Sequence, residues 1–199
     1  MTYYYEGAKI LAPLTIASNE PVYEVDTVSL TKQRASQGVQ RWELSFPTAS
    51  SGATEADMLV GVITGLATST TMVMPQIPSV VAGNTAGVSL VISANVALGL
   101  SSVTIVNDGV IKKGSFIKFS NHDKMYMVTA DVAASAGGVT PVAVPLYPSL
   151  RTAVTTAHTL KTGPSAVLTY YRDIDNLAGL TFTDGLISSA GTISLIEAI

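Results

Sequence analysis

Side chains able to do chemistry are few and scattered in this chain. It has no cysteine and two histidines, His122 and His158. That removes a thiol nucleophile, a disulfide framework and a thiolate zinc site, and leaves too few imidazoles for a histidine-rich metal centre. Asp123 follows His122, and a carboxylate can orient an imidazole for acid–base work. Asn121-His122-Asp123 is also ordinary turn composition, and it reads as a turn. Asp173 and Asp175 share one strand parity, as a carboxylate pair would, but beside Asn176 and Gly179 they read as the start of a loop. Tyr3-Tyr4-Tyr5 offers rings that stack on a sugar or a partner chain, or that pin an edge strand. Met125 and Met127 read as core. The sequence holds no nucleophile elbow, phosphate-cradling glycine loop or spaced set of metal ligands. The expectation is no catalytic, cofactor-binding or metal-binding residue, no cofactor, and no enzyme.

Composition narrows the classes further. Of 199 residues, 13% are charged and 47% hydrophobic, where about a quarter charged is usual. Mean hydropathy is +0.40, net charge −3 and pI about 5.2. A chain so poor in Lys and Arg is not built to neutralise phosphates, which argues against sequence-specific nucleic-acid binding. Such low charge also argues against disorder. The N-terminus lacks the basic start and apolar run of a signal peptide. No charged residue occurs between Asp57 and Asp108, yet Gly, Pro, Ser, Thr and Asn break that stretch repeatedly. It never reaches the roughly 20 continuous apolar residues of a membrane span, so stable membrane insertion is not expected. An uncharged surface of this kind suits burial between subunits.

The elements that must position these residues are mostly short strands. Val, Ile and Thr are abundant, and Gly and Pro recur at turn spacing. Val39–Phe46 alternates, with Gln40, Trp42, Leu44 and Phe46 on one face. Val22–Leu30 alternates loosely, and polar Arg34–Gly38 between the two predicts a hairpin. The period then changes. Thr54 can cap a helix, Glu55 and Asp57 suit its first turn, and Met58, Leu59, Val62, Ile63 and Leu66 recur at helical spacing, so a helix over Thr54–Ala67 is predicted. Further strands are predicted at 72–74, ending at Pro75 and Pro78, and at 87–93, 102–106, 115–119, 124–131, 139–144, 166–172, 179–183 and 192–197. Asn107-Asp108-Gly109 is a turn signal. The run of short strands after the helix predicts a small closed barrel.

Two passages carry a resemblance. The first is Gln40-Arg41-Trp42-Glu43-Leu44-Ser45-Phe46, followed by a polar break and the helix near Glu55. The second runs from Lys113-Gly114-Ser115-Phe116-Ile117-Lys118-Phe119 through Lys124-Met125-Tyr126-Met127-Val128-Thr129-Ala130-Asp131 to Leu146-Tyr147-Pro148-Ser149-Leu150-Arg151. In this order, and with the closing Leu195-Ile196-Glu197-Ala198-Ile199, the chain from about Val22 resembles the distal-tail or baseplate-hub structural proteins of tailed bacteriophages. It departs from them at Gly114-Ser115, where Gly-Asp is common, and at Pro148-Ser149-Leu150, where Pro-Pro-Leu is common. The resemblance implies a mainly β fold: a tail-tube-like β-sandwich with one flanking helix, formed by residues 1–78 and 166–199, and an inserted small β-barrel over 79–165. It implies a structural virion protein of the phage tail, assembled in the host cytoplasm. That protein would form a homo-oligomeric, hexameric ring joining the tail tube to the baseplate hub or fibre proteins. The alternatives are another virion joint (tail terminator, head-completion or tube protein) and a carbohydrate-binding module using Tyr3, Tyr4, Tyr5, Trp42 and Tyr126.

Overall fold

A computed structural model describes residues 3–5, 8–26, 32–36, 38–49, 60–61, 69–175, 179–184, 186–189 and 191–199. The fold is mainly β and contains a closed six-stranded barrel. Seven strands form one sheet: β1 (Tyr4–Tyr5), β2 (Ala8–Ile10), β3 (Thr15–Asn19), β6 (Arg41–Ala49), β7 (Thr70–Val73), β14 (Val167–Arg172) and β17 (Thr192–Glu197). Their order is β1-β2-β6-β17-β14-β7, with β3 also on β6. The sheet thus draws strands from both ends of the chain. One edge of β6 takes β2 at Thr48–Ala49 and β3 at Arg41–Ser45; its other edge takes β17.

The barrel lies between these segments in sequence. Its strands are β8 (Ser89–Ile92), β9 (Ser102–Val106), β10 (Phe116–Phe119), β11 (Met125–Val128), β12 (Val142–Tyr147) and β13 (Thr159–Lys161). They close in the order β10-β11-β12-β9-β8-β13. Alternate residues such as Leu90, Ile92, Val103, Ile105, Ile117, Phe119, Val128 and Val144 fill the interior. At about 25 cal/mol per Å2 of apolar surface removed from water, this filling is the main stabilising term. Gly114 precedes β10 with φ +84°, a left-handed conformation that glycine adopts without steric cost.

Two strands of the barrel break its alternation. All four residues of β10 are buried, and so are three of the four in β11. Ile117 and Phe119 point into the barrel, while Phe116 and Met125 belong to the core of the large sheet with Trp42, Leu44, Phe46, Leu168, Ile193 and Leu195. A strand buried on both faces has no wet side to show, and here it marks where barrel and sheet share a boundary. Ile187, from the hairpin of β15 (Thr181–Thr183) and β16 (Leu186–Ser189), completes that core.

Several expectations need correction. The hairpin expected through Arg34–Gly38 is displaced: β4 (Val22–Asp26) pairs with β5 (Lys32–Ser36). Glu24 accepts from Arg34 at 2.7 Å and from Lys32 at 2.5 Å, cross-strand pairs that fix this register. Strand β12 does not stop at Pro145 but continues to Tyr147, because the Pro145 carbonyl still accepts from Thr129 and its missing N–H leaves only one position of the ladder empty. Pro78 does not merely end a strand. It opens α1 (Pro78–Gly83), where its fixed φ suits the first helical position. The helix expected over Thr54–Ala67 lies outside the described residues except Val60 and Gly61, which are helical.

Candidate functional site

The boundary between sheet and barrel gathers several buried polar groups, Gln40, Lys118, Lys124 and Glu197 among them. Glu197 ends β17 on the same parity as Ile193 and Leu195, so the strand that buries those two also buries its carboxylate. The carboxylate accepts from the Trp42 backbone N–H at 3.0 Å and from the Met125 backbone N–H at 2.6 Å, and it pairs with the Lys124 ammonium. Lys124 Nζ also donates to Gln40 Oε1 at 2.6 Å, and Gln40 Nε2 donates to Ser18 Oγ at 3.0 Å. The Trp42 indole N–H donates to the Met125 carbonyl at 2.9 Å. One carboxylate is thus bound to β6, to β11 and to a lysine of the barrel. Burial pushes Glu197 above the usual carboxylate range and Lys124 below the usual ammonium range, while their mutual attraction opposes both shifts. Burying an unpaired charge is costly, so each partner offsets part of the other's burial.

Two more contacts cross the same boundary. Lys118 on β10 donates to Asp123 at 2.8 Å and to Thr169 on β14 at 3.1 Å, and Thr169 donates to Asp123 at 3.0 Å. The hydrogen bond from Lys118 is the largest cause holding Asp123 below the usual range. On the other side, the Tyr147 hydroxyl of β12 donates to Glu20 at 2.8 Å and accepts from Ser18 Oγ at 2.9 Å.

Beside these contacts lies an apolar groove of about 450 Å3. Leu14 and Ile16 come from the sheet's β3 side, Trp42 from β6, Phe116 and Met127 from the barrel, and Ile77 from the segment before α1. Tyr3 closes one end: its hydroxyl accepts from the Gln76 N–H at 2.8 Å and donates to the Gln76 carbonyl at 3.1 Å.

The residues singled out in the sequence separate into different environments. Asp123 turns to Lys118 and Thr169, and His122 hydrogen-bonds elsewhere. The Tyr126 hydroxyl accepts from the Arg151 N–H at 3.1 Å, so its own hydrogen is free for His122 Nε2 at 2.9 Å. His122 Nδ1 then donates to Asn121 Oδ1 at 2.9 Å. Burial lowers His122 to about 4 and raises Tyr126 to about 12, so both are neutral at pH 7. His158 Nδ1 accepts from the Thr155 N–H. Asp173 accepts from the Asp175 backbone N–H at 3.1 Å, the geometry of an Asx turn at a loop start. Tyr4 is exposed on an edge strand, whereas Tyr5, Trp42 and Tyr126 are buried and offer no ring face to a sugar. Met125 is buried, and Met127 packs against the sheet core. No three His, Asp or Glu side chains among the described residues could jointly hold a metal ion.

Sequence reasoning missed the Lys124–Glu197 pair. Its signal was present: Gln40 shares the parity of Trp42, and Glu197 that of Leu195, each a polar residue on a buried face. Neither a protein-family model nor a curated protein matches the chain.

Proposed function

We propose that this protein is a structural component of a bacteriophage virion, forming a homo-oligomeric ring, hexameric by resemblance, at the distal end of the tail. The ring joins the tail tube to the baseplate hub or fibre proteins. The observation that carries the reading is the exposed apolar surface. Val22, Tyr23 and Val25 on one hairpin, Ile77 beside the groove, and Val39, Tyr171 and Ile199 near the chain end all face solvent in a single copy. Contiguous apolar surface on a soluble protein marks an interaction site, and contacts between subunits would cover these residues. The polar boundary between sheet and barrel supports a mechanical role, because it holds the two parts in one fixed relation through named hydrogen bonds. A net charge of −3 suits a lumen through which DNA passes without being held.

The test is the mass of the purified protein, together with negative-stain images. A particle of six times the 20.6-kDa chain with a central hole is expected. A monomer at every concentration, and no adjacent copies in the virion, would overturn the reading.

A further inference from the structure

The outer face of the large sheet holds a pocket that the sheet–barrel boundary does not use. Side chains alternate along β6, β14 and β17, so Arg41, Tyr171 and Ile196 point away from the core that buries Trp42, Tyr170 and Leu195. Asn19 lies opposite Arg41 across β3 and β6, and Tyr171 opposite Ile196 across β14 and β17. Together with Pro21 and Val39 they line a cavity of about 480 Å3, within the roughly 300–1,000 Å3 typical of small-ligand sites. Every lining residue belongs to one copy, so the pocket exists whether or not a ring forms.

Arg41 brings a positive charge to this pocket, and its donors are unspent. Its ion pair with Glu43 spans 3.5 Å from Nε to Oε1, longer than a hydrogen bond. That same oxygen accepts from Asn19 Nδ2 at 2.7 Å. No N–H of the Arg41 guanidinium has a hydrogen-bond acceptor among the described residues, and no carboxylate there other than Glu43 lies within 4.0 Å of it. Glu197 borders the pocket, but its carboxylate is turned inward to Lys124. The half-exposed Tyr171 has a hydroxyl with no partner among the described residues.

The chemistry of a fitting ligand follows from these groups. A guanidinium presents a planar fork of N–H donors that matches the two oxygens of a carboxylate. Beside it, the Tyr171 ring, Pro21, Val39 and Ile196 form an apolar wall, which suits a hydrocarbon body behind the carboxylate. Glu43 tempers the local positive charge, so a second negative charge on the ligand would face a carboxylate with no second cation to offset it. A single carboxylate therefore fits better than a phosphate group, which carries about −1.5 to −2 at pH 7.

We propose that this pocket binds a carboxylate carried on an apolar body, with Arg41 holding the two oxygens and Tyr171, Val39 and Ile196 enclosing the body. A free aliphatic acid and the carboxyl end of a polypeptide both supply that chemistry. Saturation-transfer NMR on the full-length protein observes the free ligand, so it serves a monomer and a ring alike. Hexanoate should bind saturably at about millimolar concentration, as expected of so few atoms. Acetate, which lacks the body, and 1-hexanol, which lacks the charge, should each bind about tenfold more weakly, and so should hexanoate to Arg41→Gln, one charge-assisted hydrogen bond being worth about that factor. Glu43→Gln should tighten hexanoate binding, a gain that a merely structural role for Glu43 does not produce. A short peptide ending in leucine distinguishes the sources. If its free-carboxylate form binds more tightly than hexanoate and its amidated form does not bind, the ligand is a polypeptide end; if hexanoate binds more tightly, it is a small acid. No saturable binding of either carboxylate, or equal hexanoate binding by wild type and a folded Arg41→Gln, overturns the proposal and leaves the ring reading untouched.

Discussion

Replacing Lys124 by Met isolates the energetics of the sheet–barrel boundary. In the native protein Glu197 receives two backbone N–H groups and the Lys124 ammonium while almost wholly buried. Met fills much of the space of the lysine stem but leaves a buried carboxylate without its cation. Removing one member of a buried pair costs about 3–5 kcal/mol. For a chain of this size each kcal/mol lowers Tm by about 2–4 °C, so a fall of roughly 6–20 °C is expected. Lys124→Met with Glu197→Gln should recover part of that loss, because no charge then stays buried without its partner. The amide oxygen still accepts one backbone N–H and Gln40 Oε1 is freed to accept from the amide nitrogen, but the second backbone N–H faces that nitrogen and is orphaned, at about 1–3 kcal/mol. The pH dependence has a definite sign. Glu197 is already raised by burial, and losing Lys124 removes the charge that opposes the rise. A carboxyl whose folded-state pKa exceeds its unfolded value stabilises the fold increasingly as pH falls through that folded value. The deficit of Lys124→Met against wild type should therefore shrink between pH 7 and pH 5. Urea unfolding at several pH values measures all of this. A single-variant loss below about 1 kcal/mol at pH 7, or a deficit that grows on acidification, would refute the argument that the pair is a desolvated, mutually dependent ion pair.

Two further outcomes follow from local geometry. His122 is lowered to about 4, below the roughly 6.5 of an unfolded chain, so its contribution to stability is complete above pH 6.5 and is lost as pH falls toward 4. Nuclear magnetic resonance should show its ring neutral at pH 5.5, and a His122→Gln variant should lose stability less steeply than wild type between pH 6.5 and 4. A methyl group on Gly109 would meet the Thr85 carbonyl at 2.4 Å, whereas one on Gly179 meets nothing within 4 Å among the described residues. Gly109→Ala should cost about 1–3 kcal/mol in urea unfolding, as other overpacked sites do, and Gly179→Ala should stay within about 0.5 kcal/mol of wild type.

The sequence by itself determined the strand-rich class, the closed barrel after the first third of the chain, and which side chains share a face. Trp42, Leu44 and Phe46 are buried together because a pleat places every second residue on one side, a rule that acts within a few residues. The same rule puts Gln40 on the buried face of Trp42 and, by the parity of Leu195, Glu197 on the buried face of its strand. Only the tertiary structure decided the partners. Strand β6 takes β17 from about 150 residues away, and no local pattern encodes a pairing whose stability comes from packing along the whole interface. Strand β5 pairs with β4, with Glu24 reaching Arg34 and Lys32 across the pair, although its composition alone reads as a turn. Strand β10 is buried on both faces because the barrel's outer side meets the sheet. Lys124 and Glu197, 73 residues apart, form one site for the same reason. Periodicity is a property of one segment, whereas a shared boundary exists only after two remote segments have found each other, and its cost and gain are summed over the folded chain.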